Sequence, residues 1–143
     1  ADLVIDEPDL YVACGVMSED DMRLAMEQDW LMFSSDGGAW PILKESDTPR
    51  VSHPRSFGSQ ARVLSRYVRE QKALTLENAI RKMTSLPARF LRMNDRGLLL
   101  NGYKADIVIF DPENTRENAT HADARQYSTG THFVLVDGKI AID

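Results

Sequence analysis

Asp36 is the residue whose surroundings best suit it to chemistry. It follows four bulky apolar residues, Trp30-Leu31-Met32-Phe33, and sits in Ser34-Ser35-Asp36-Gly37-Gly38. An unbroken apolar run this short predicts a strand buried on both faces, as in a parallel sheet. A carboxylate at the end of such a strand stands where α/β sheets and barrels keep their acid–base groups. Asp-Gly is also a common turn pair, so the competing reading makes Asp36 a loop cap. The other candidates are few. His53, His121 and His132 are the only histidines, and none forms His-x-His or His-Glu-x-x-His, so no complete metal site can be read. His121, in a polar loop, and His132, at a strand start, read as structural or solvated. Cys14 is the single cysteine, which excludes an internal disulfide and a thiolate zinc cluster, and it reads as a small buried residue. There is no phosphate-binding glycine loop and no Gly-x-Ser-x-Gly elbow.

The elements that must position Asp36 come in an α/β rhythm. Tyr11–Met17 predicts a strand. Ser18 then caps a short helix with Met22, Ala25 and Met26 on its apolar face, before the run at Trp30. From Gly37 to Gly58 the composition predicts a long loop, a length that usually serves function. Ser59–Gln71 predicts a helix with Val63, Leu64, Tyr67 and Val68 on one face and Arg62, Arg66 and Arg69 on the other. Thr75 caps the next helix, whose buried stripe is Ala79, Ile80 and Met83, and Pro87 restarts a short helix carrying Phe90 and Leu91 inward. After Gly97 the period becomes that of strands. Leu98-Leu99-Leu100 and Ala105–Phe110 predict a hairpin turning at Asn101-Gly102. In its second strand Ile107 and Ile109 would share one face and Val108 and Phe110 the other. His132–Ile142 predicts a second hairpin turning at Asp137-Gly138.

Composition bounds the function classes. The chain has 143 residues, 43% hydrophobic and 27% charged, with a net charge of −5. No apolar run approaches the roughly 20 residues of a membrane span, and the start lacks a signal-peptide pattern, so no membrane partner and a cytoplasmic location are expected. Charge is uneven: residues 50–96 hold 11 basic and 3 acidic side chains, whereas residues 1–49 hold 2 and 12. A basic stretch can mark a nucleic-acid surface. These arginines instead lie on polar faces of amphipathic helices with few aromatics beside them, so no nucleic-acid partner is expected.

Thr84-Ser85-Leu86-Pro87-Ala88, Gly97 and Gly102-Tyr103-Lys104-Ala105-Asp106-Ile107-Val108-Ile109-Phe110-Asp111 together resemble the C-terminal signature of the metal-dependent amidohydrolase superfamily. Ser34-Ser35-Asp36-Gly37, His53-Pro54-Arg55 and the helix Arg62-Val63-Leu64-Ser65-Arg66-Tyr67-Val68-Arg69 narrow this. They resemble the D-aminoacylase, or N-acyl-D-amino-acid deacylase, branch. The resemblance implies an α/β fold: the C-terminal part of a (β/α)8 TIM-like barrel over residues 1–96, then strands of a small β-sandwich domain over 97–143. It implies zinc in the complete enzyme, with Asp36 as the catalytic carboxylate that helps hold the metal-bound water and takes up its proton. His53 and Arg55 would lie in the loop over the barrel mouth and bind the substrate carboxylate, or serve that loop structurally. A barrel needs roughly 250 residues, and the superfamily's other ligands lie on earlier strands. A missing N-terminal part of the parent enzyme is therefore the expected partner, with a small-molecule N-acyl amino acid as substrate. Alone, the chain is expected to be inactive and prone to self-association. The competing readings are a dihydroorotase-like or hydantoinase-like amidohydrolase and a non-catalytic interaction module.

Overall fold

Ser18 opens the first helix by accepting the Asp21 N–H on its hydroxyl at 3.4 Å, satisfying a donor that a helix start leaves unpaired. In the computed structural model, which describes residues 15–39 and 53–143, this helix (α1) runs Glu19–Glu27. Glu19, Asp20 and Asp21 in its first turn suit the helix dipole, and Met26 is buried with Met22 beside it. The expected strand Tyr11–Met17 lies mostly outside the described residues, as does Cys14. Gly15–Met17 has no regular structure.

The second helix begins earlier than its composition predicts. Pro54, at φ −51°, leads straight into α2, Arg55–Arg62, so residues 55–58 of the expected loop are helical, while its positions 40–52 lie outside the described residues. The same rod continues as a π-helical segment, Val63–Glu70, closed by the Gln71 N–H donating to the Arg66 carbonyl at 2.8 Å. Val63, Leu64, Ser65 and Tyr67 are buried, and Arg62, Arg66 and Arg69 remain partly exposed, as the periodicity predicts. Thr75 caps α3, Leu76–Met83, through the Asn78 N–H at 3.2 Å, and Ala79 is wholly buried. Met26, Val63, Leu64, Tyr67, Leu74 and Ala79 form one apolar cluster, against which Phe33, Ile80, Met83 and Phe110 pack.

Three expectations are corrected. Pro87 does lie in the first turn of a short helix, α4 (Ser85–Phe90), but Phe90 and Leu91 are exposed. Ala88 is the inward residue; Phe90, two positions on, falls about 200° around the axis, and the helix ends before Leu91. The run Trp30–Phe33 is not a strand. A strand takes its ladder from a neighbour, and among the described residues none lies beside it. The Phe33 N–H instead donates to the Lys82 carbonyl at 3.3 Å. Leu98–Leu100 is exposed and forms no strand. Asn101-Gly102 does turn, yet it joins no two strands.

Three antiparallel strands follow, β1 (Ile107–Phe110), β2 (Thr131–Val136) and β3 (Lys139–Ile142), in that spatial order. Asp137 (φ 51°) and Gly138 (φ 77°) make the expected tight turn between β2 and β3, with the paired positive φ values of a type I′ turn. The predicted alternation in β1 does not hold. A bulge between Ile109 and Phe110 shifts the register, so Ile107 and Phe110 are half-buried while Val108 and Ile109 are exposed. Asp111 then stops the strand by accepting the Glu113 and Asn114 N–H groups on Oδ1 and the Asn114 amide on Oδ2. The loop after β1 is tied back to the helices: Arg69 donates to the Pro112 and Thr115 carbonyls, and the Ser128 hydroxyl to the Phe57 carbonyl. Among the described residues no helix is long and apolar enough to cross a membrane.

Gly130, at φ +87°, lies where a Cβ would sit 2.5 Å from the Thr115 N and Cα. Gly130→Ala is therefore expected to cost about 2–4 kcal/mol, backbone strain and backbone overlap adding. Gly102→Ala has a similar φ but open space around it, and is expected to cost only about 1 kcal/mol. Urea denaturation of the two variants checks this, and equal losses would contradict it.

Candidate functional site

Asp36 occupies the left-handed region, at φ +47°, a conformation that aspartate tolerates better than most residues. Its turn is held locally: the Ser34 hydroxyl accepts the Asp36 N–H at 3.4 Å, and the Ser35 hydroxyl accepts the Gly37 N–H at 3.2 Å. Gly37 lies so close to the start of α2 that a Cβ there would stand 2.8 Å from the Ser56 Cα and Oγ. That approach requires glycine, and it sets the aspartate beside the helix. Asp36 Oδ2 lies 3.2 Å from Arg55 Nη1, with the aspartate side chain 85% exposed and the arginine 46%. An exposed pair of this kind contributes little stability, about 0–1 kcal/mol. Its significance is positional: a carboxylate and a five-donor guanidinium share one edge.

His53 precedes the same helix. Its Nδ1 accepts the Arg55 N–H at 3.1 Å, and its carbonyl accepts the Ser56 N–H at 3.1 Å, so the ring caps the turn that presents Arg55. The His121 ring stands edge-on to it, centroids 5.0 Å apart at 87°. Burial, then the charge of Arg55 and the His121 ring beside it, hold the His53 pKa below its ordinary value, so the neutral imidazole is favoured. These residues open onto a cleft of about 440 Å³ that also takes in Arg62 and Glu117, an ion pair at 2.7 Å.

The structure thus brings together Asp36, His53 and Arg55, the three residues that the sequence singles out, although 13 residues between them (40–52) lie outside the described set. It also adds His121, which no spacing in the sequence connects to His53. Only the fold of the loop after β1 brings it there. His132, on β2, stays apart from this group. As a metal ligand Asp36 offers one exposed carboxylate. Among the described residues no three His, Cys, Asp or Glu side chains gather in a group able to hold a metal ion. One carboxylate fits a single position of a zinc site, which normally takes about three protein ligands.

The profile of the Amidohydrolase family matches residues 10–142. An N-acyl-D-glutamate deacylase from Alcaligenes xylosoxydans xylosoxydans is 43% identical over 122 residues, 85% of this chain and 23% of the relative. A D-aminoacylase from the same organism is 36% identical over 134 residues, 92% of this chain and 26% of the relative. The crystal structure of the N-acyl-D-glutamate deacylase from Bordetella bronchiseptica, complexed with zinc and a phosphonate mimic of the tetrahedral intermediate, superimposes with a TM-score of 0.76. Identity is 39%, over 87% of this chain and 24% of that one. The chain spans about a quarter of the length of these relatives. It belongs to the amidohydrolase family and, within it, to the D-aminoacylase branch.

Proposed function

We propose that this chain is the C-terminal portion of a zinc-dependent amidohydrolase that cleaves the amide bond of N-acyl-D-amino acids, and that Asp36 is its proton acceptor. The observation that carries the reading is the Asp36–Arg55 pair at 3.2 Å, in a chain 43% identical to an N-acyl-D-glutamate deacylase. The substrate carries a carboxylate one carbon from the scissile amide nitrogen. A guanidinium beside the proton acceptor matches that short separation, and the Arg55 donors not facing Asp36 can pair with the carboxylate in bidentate fashion. Zinc, when bound, lowers the pKa of water and polarises a carbonyl, and Asp36 is the described residue that would take part in holding it. Asp36 accepts the proton of the attacking water as the new C–O bond forms. It returns that proton to the amide nitrogen as the C–N bond breaks, releasing a carboxylate and an amino acid. His53, neutral and bonded to the Arg55 backbone, orients the arginine and not the reacting atoms.

Residues 1–96 then form the last part of the (β/α)8 barrel, and 97–143 the strands of its small β-domain. The surface supports a larger parent. Among the described residues 17 large apolar side chains are exposed and only nine hydrophobic residues are buried, the reverse of what a self-sufficient domain needs. The remaining zinc ligands and the cover for this surface would come from the N-terminal part of the parent chain.

In the complete enzyme, Asp36→Asn is expected to leave folding and zinc content unchanged and to reduce turnover roughly 10²–10⁴-fold, because asparagine keeps the shape but accepts no proton. Near-normal turnover would reduce Asp36 to a turn residue. The isolated chain is expected to release no amino acid from an N-acyl-D-amino acid, with or without added zinc, and to self-associate. Amine-release assays with light scattering check this, and a monomeric, zinc-dependent deacylase would refute it.

A further inference from the structure

We infer that Lys82 is a positioning residue for Asp36, an inference that rests on the proton-acceptor reading above. Lys82 is 0% exposed, a rare state for lysine. It lies on α3, and its ammonium Nζ donates to the carbonyl of Gln28, the residue that caps the end of α1. Its own backbone carbonyl accepts the Phe33 N–H at 3.3 Å. The neighbouring Arg81 donates from Nη2 to the Asp29 carbonyl at 2.9 Å and reaches the Asp29 carboxylate at 3.4 Å. One turn of α3 therefore grips residues 28, 29 and 33, and the chain runs on from Phe33 through two serines to Asp36. Three residues of extended chain span roughly 10 Å, so an error at Phe33 is delivered directly to the carboxylate.

A lysine is not needed there for packing. Burial, then the charge of Arg81, push its ammonium below the ordinary lysine range, which is the penalty of holding a cation inside. A methionine would fill the same space without that penalty. What methionine cannot do is donate to the Gln28 carbonyl, and hydrogen bonds from a charged donor are the stronger kind. The segment before Asp36 has no strand neighbours among the described residues, so α3 supplies the fixed points that a ladder would otherwise give.

The test has two readouts. In the complete enzyme, Lys82→Met is expected to speed hydrogen exchange at the Phe33 amide by at least about tenfold, with Lys82→Arg restoring most of the protection. In the complete enzyme, Lys82→Met is expected to lower kcat by about 10–100-fold with KM within about twofold, and to lower it by less than about threefold in an Asp36→Asn background. If Lys82→Met does not fold, Lys82→Gln is measured in the same way. Unchanged exchange, normal kcat, or the same loss in both backgrounds would overturn the inference. Asp36→Asn turning over normally would sink the reading beneath it, whereas a slow Asp36→Asn beside a normal Lys82→Met would sink only the role of Lys82.

Discussion

Tyr67 is the point on which the helical part closes. At 2% exposed it lies at the centre of a small cluster, with Val63 and Leu64 from its own segment, Met26 from α1, and Leu74 and Ala79 leading into and lining α3. The π-helical turn from Val63 to Glu70 widens the rod, and within it Ser65 is buried together with Val63, Leu64 and Tyr67. The guanidinium carbons of Arg62 and Arg66 stand 6.0 and 5.8 Å from the Tyr67 ring, close enough for cation–π attraction to add modestly to the packing. Phe110 from β1 packs against the same cluster, so the helices and the sheet share one core. Because α2 is the front of this rod, the placement of Arg55 follows from the burial of Tyr67.

Asp36 reaches that rod by a different route. It belongs to a segment fixed behind it by α3, through Lys82 and Arg81, and ahead of it by the contact of Gly37 with Ser56. The Asp36–Arg55 pair is thus the meeting of two separately anchored pieces. Neither the exposed ion pair nor the left-handed backbone at Asp36 stabilises the fold appreciably.

Local chemistry was legible in the sequence where it acts over a few residues. The caps at Ser18 and Thr75, the turn at Asp137-Gly138 and the apolar face Val63-Leu64-Tyr67 rest on neighbours within one or two turns, and each forms as read. What failed depended on partners elsewhere. Trp30–Phe33 has the composition of a barrel strand, but a ladder needs neighbours, and its anchor is a lysine carbonyl 49 positions along. The faces of Ile107–Phe110 were lost to one bulge, and Lys82 is buried although it lies outside the stripe Ala79, Ile80 and Met83 expected of its helix. At the site, Asp36, His53 and Arg55 were marked by motif, whereas His121 carries no local signal and is recognised only by its place beside His53.

In the proposed reaction Asp36 and Arg55 face the reacting amide and the substrate carboxylate, respectively. A crystal structure of the complete enzyme with zinc and a phosphonate mimic of an N-acyl-D-amino acid would show whether they do. An Asp36 carboxylate oxygen is expected at hydrogen-bond distance, about 3 Å or less, from a phosphonate oxygen, with Arg55 paired with the carboxylate of the ligand. An Asp36 more than about 6 Å from the phosphonate, with Arg55 bonded to it alone, would refute both proposed roles, since no direct proton transfer spans that gap.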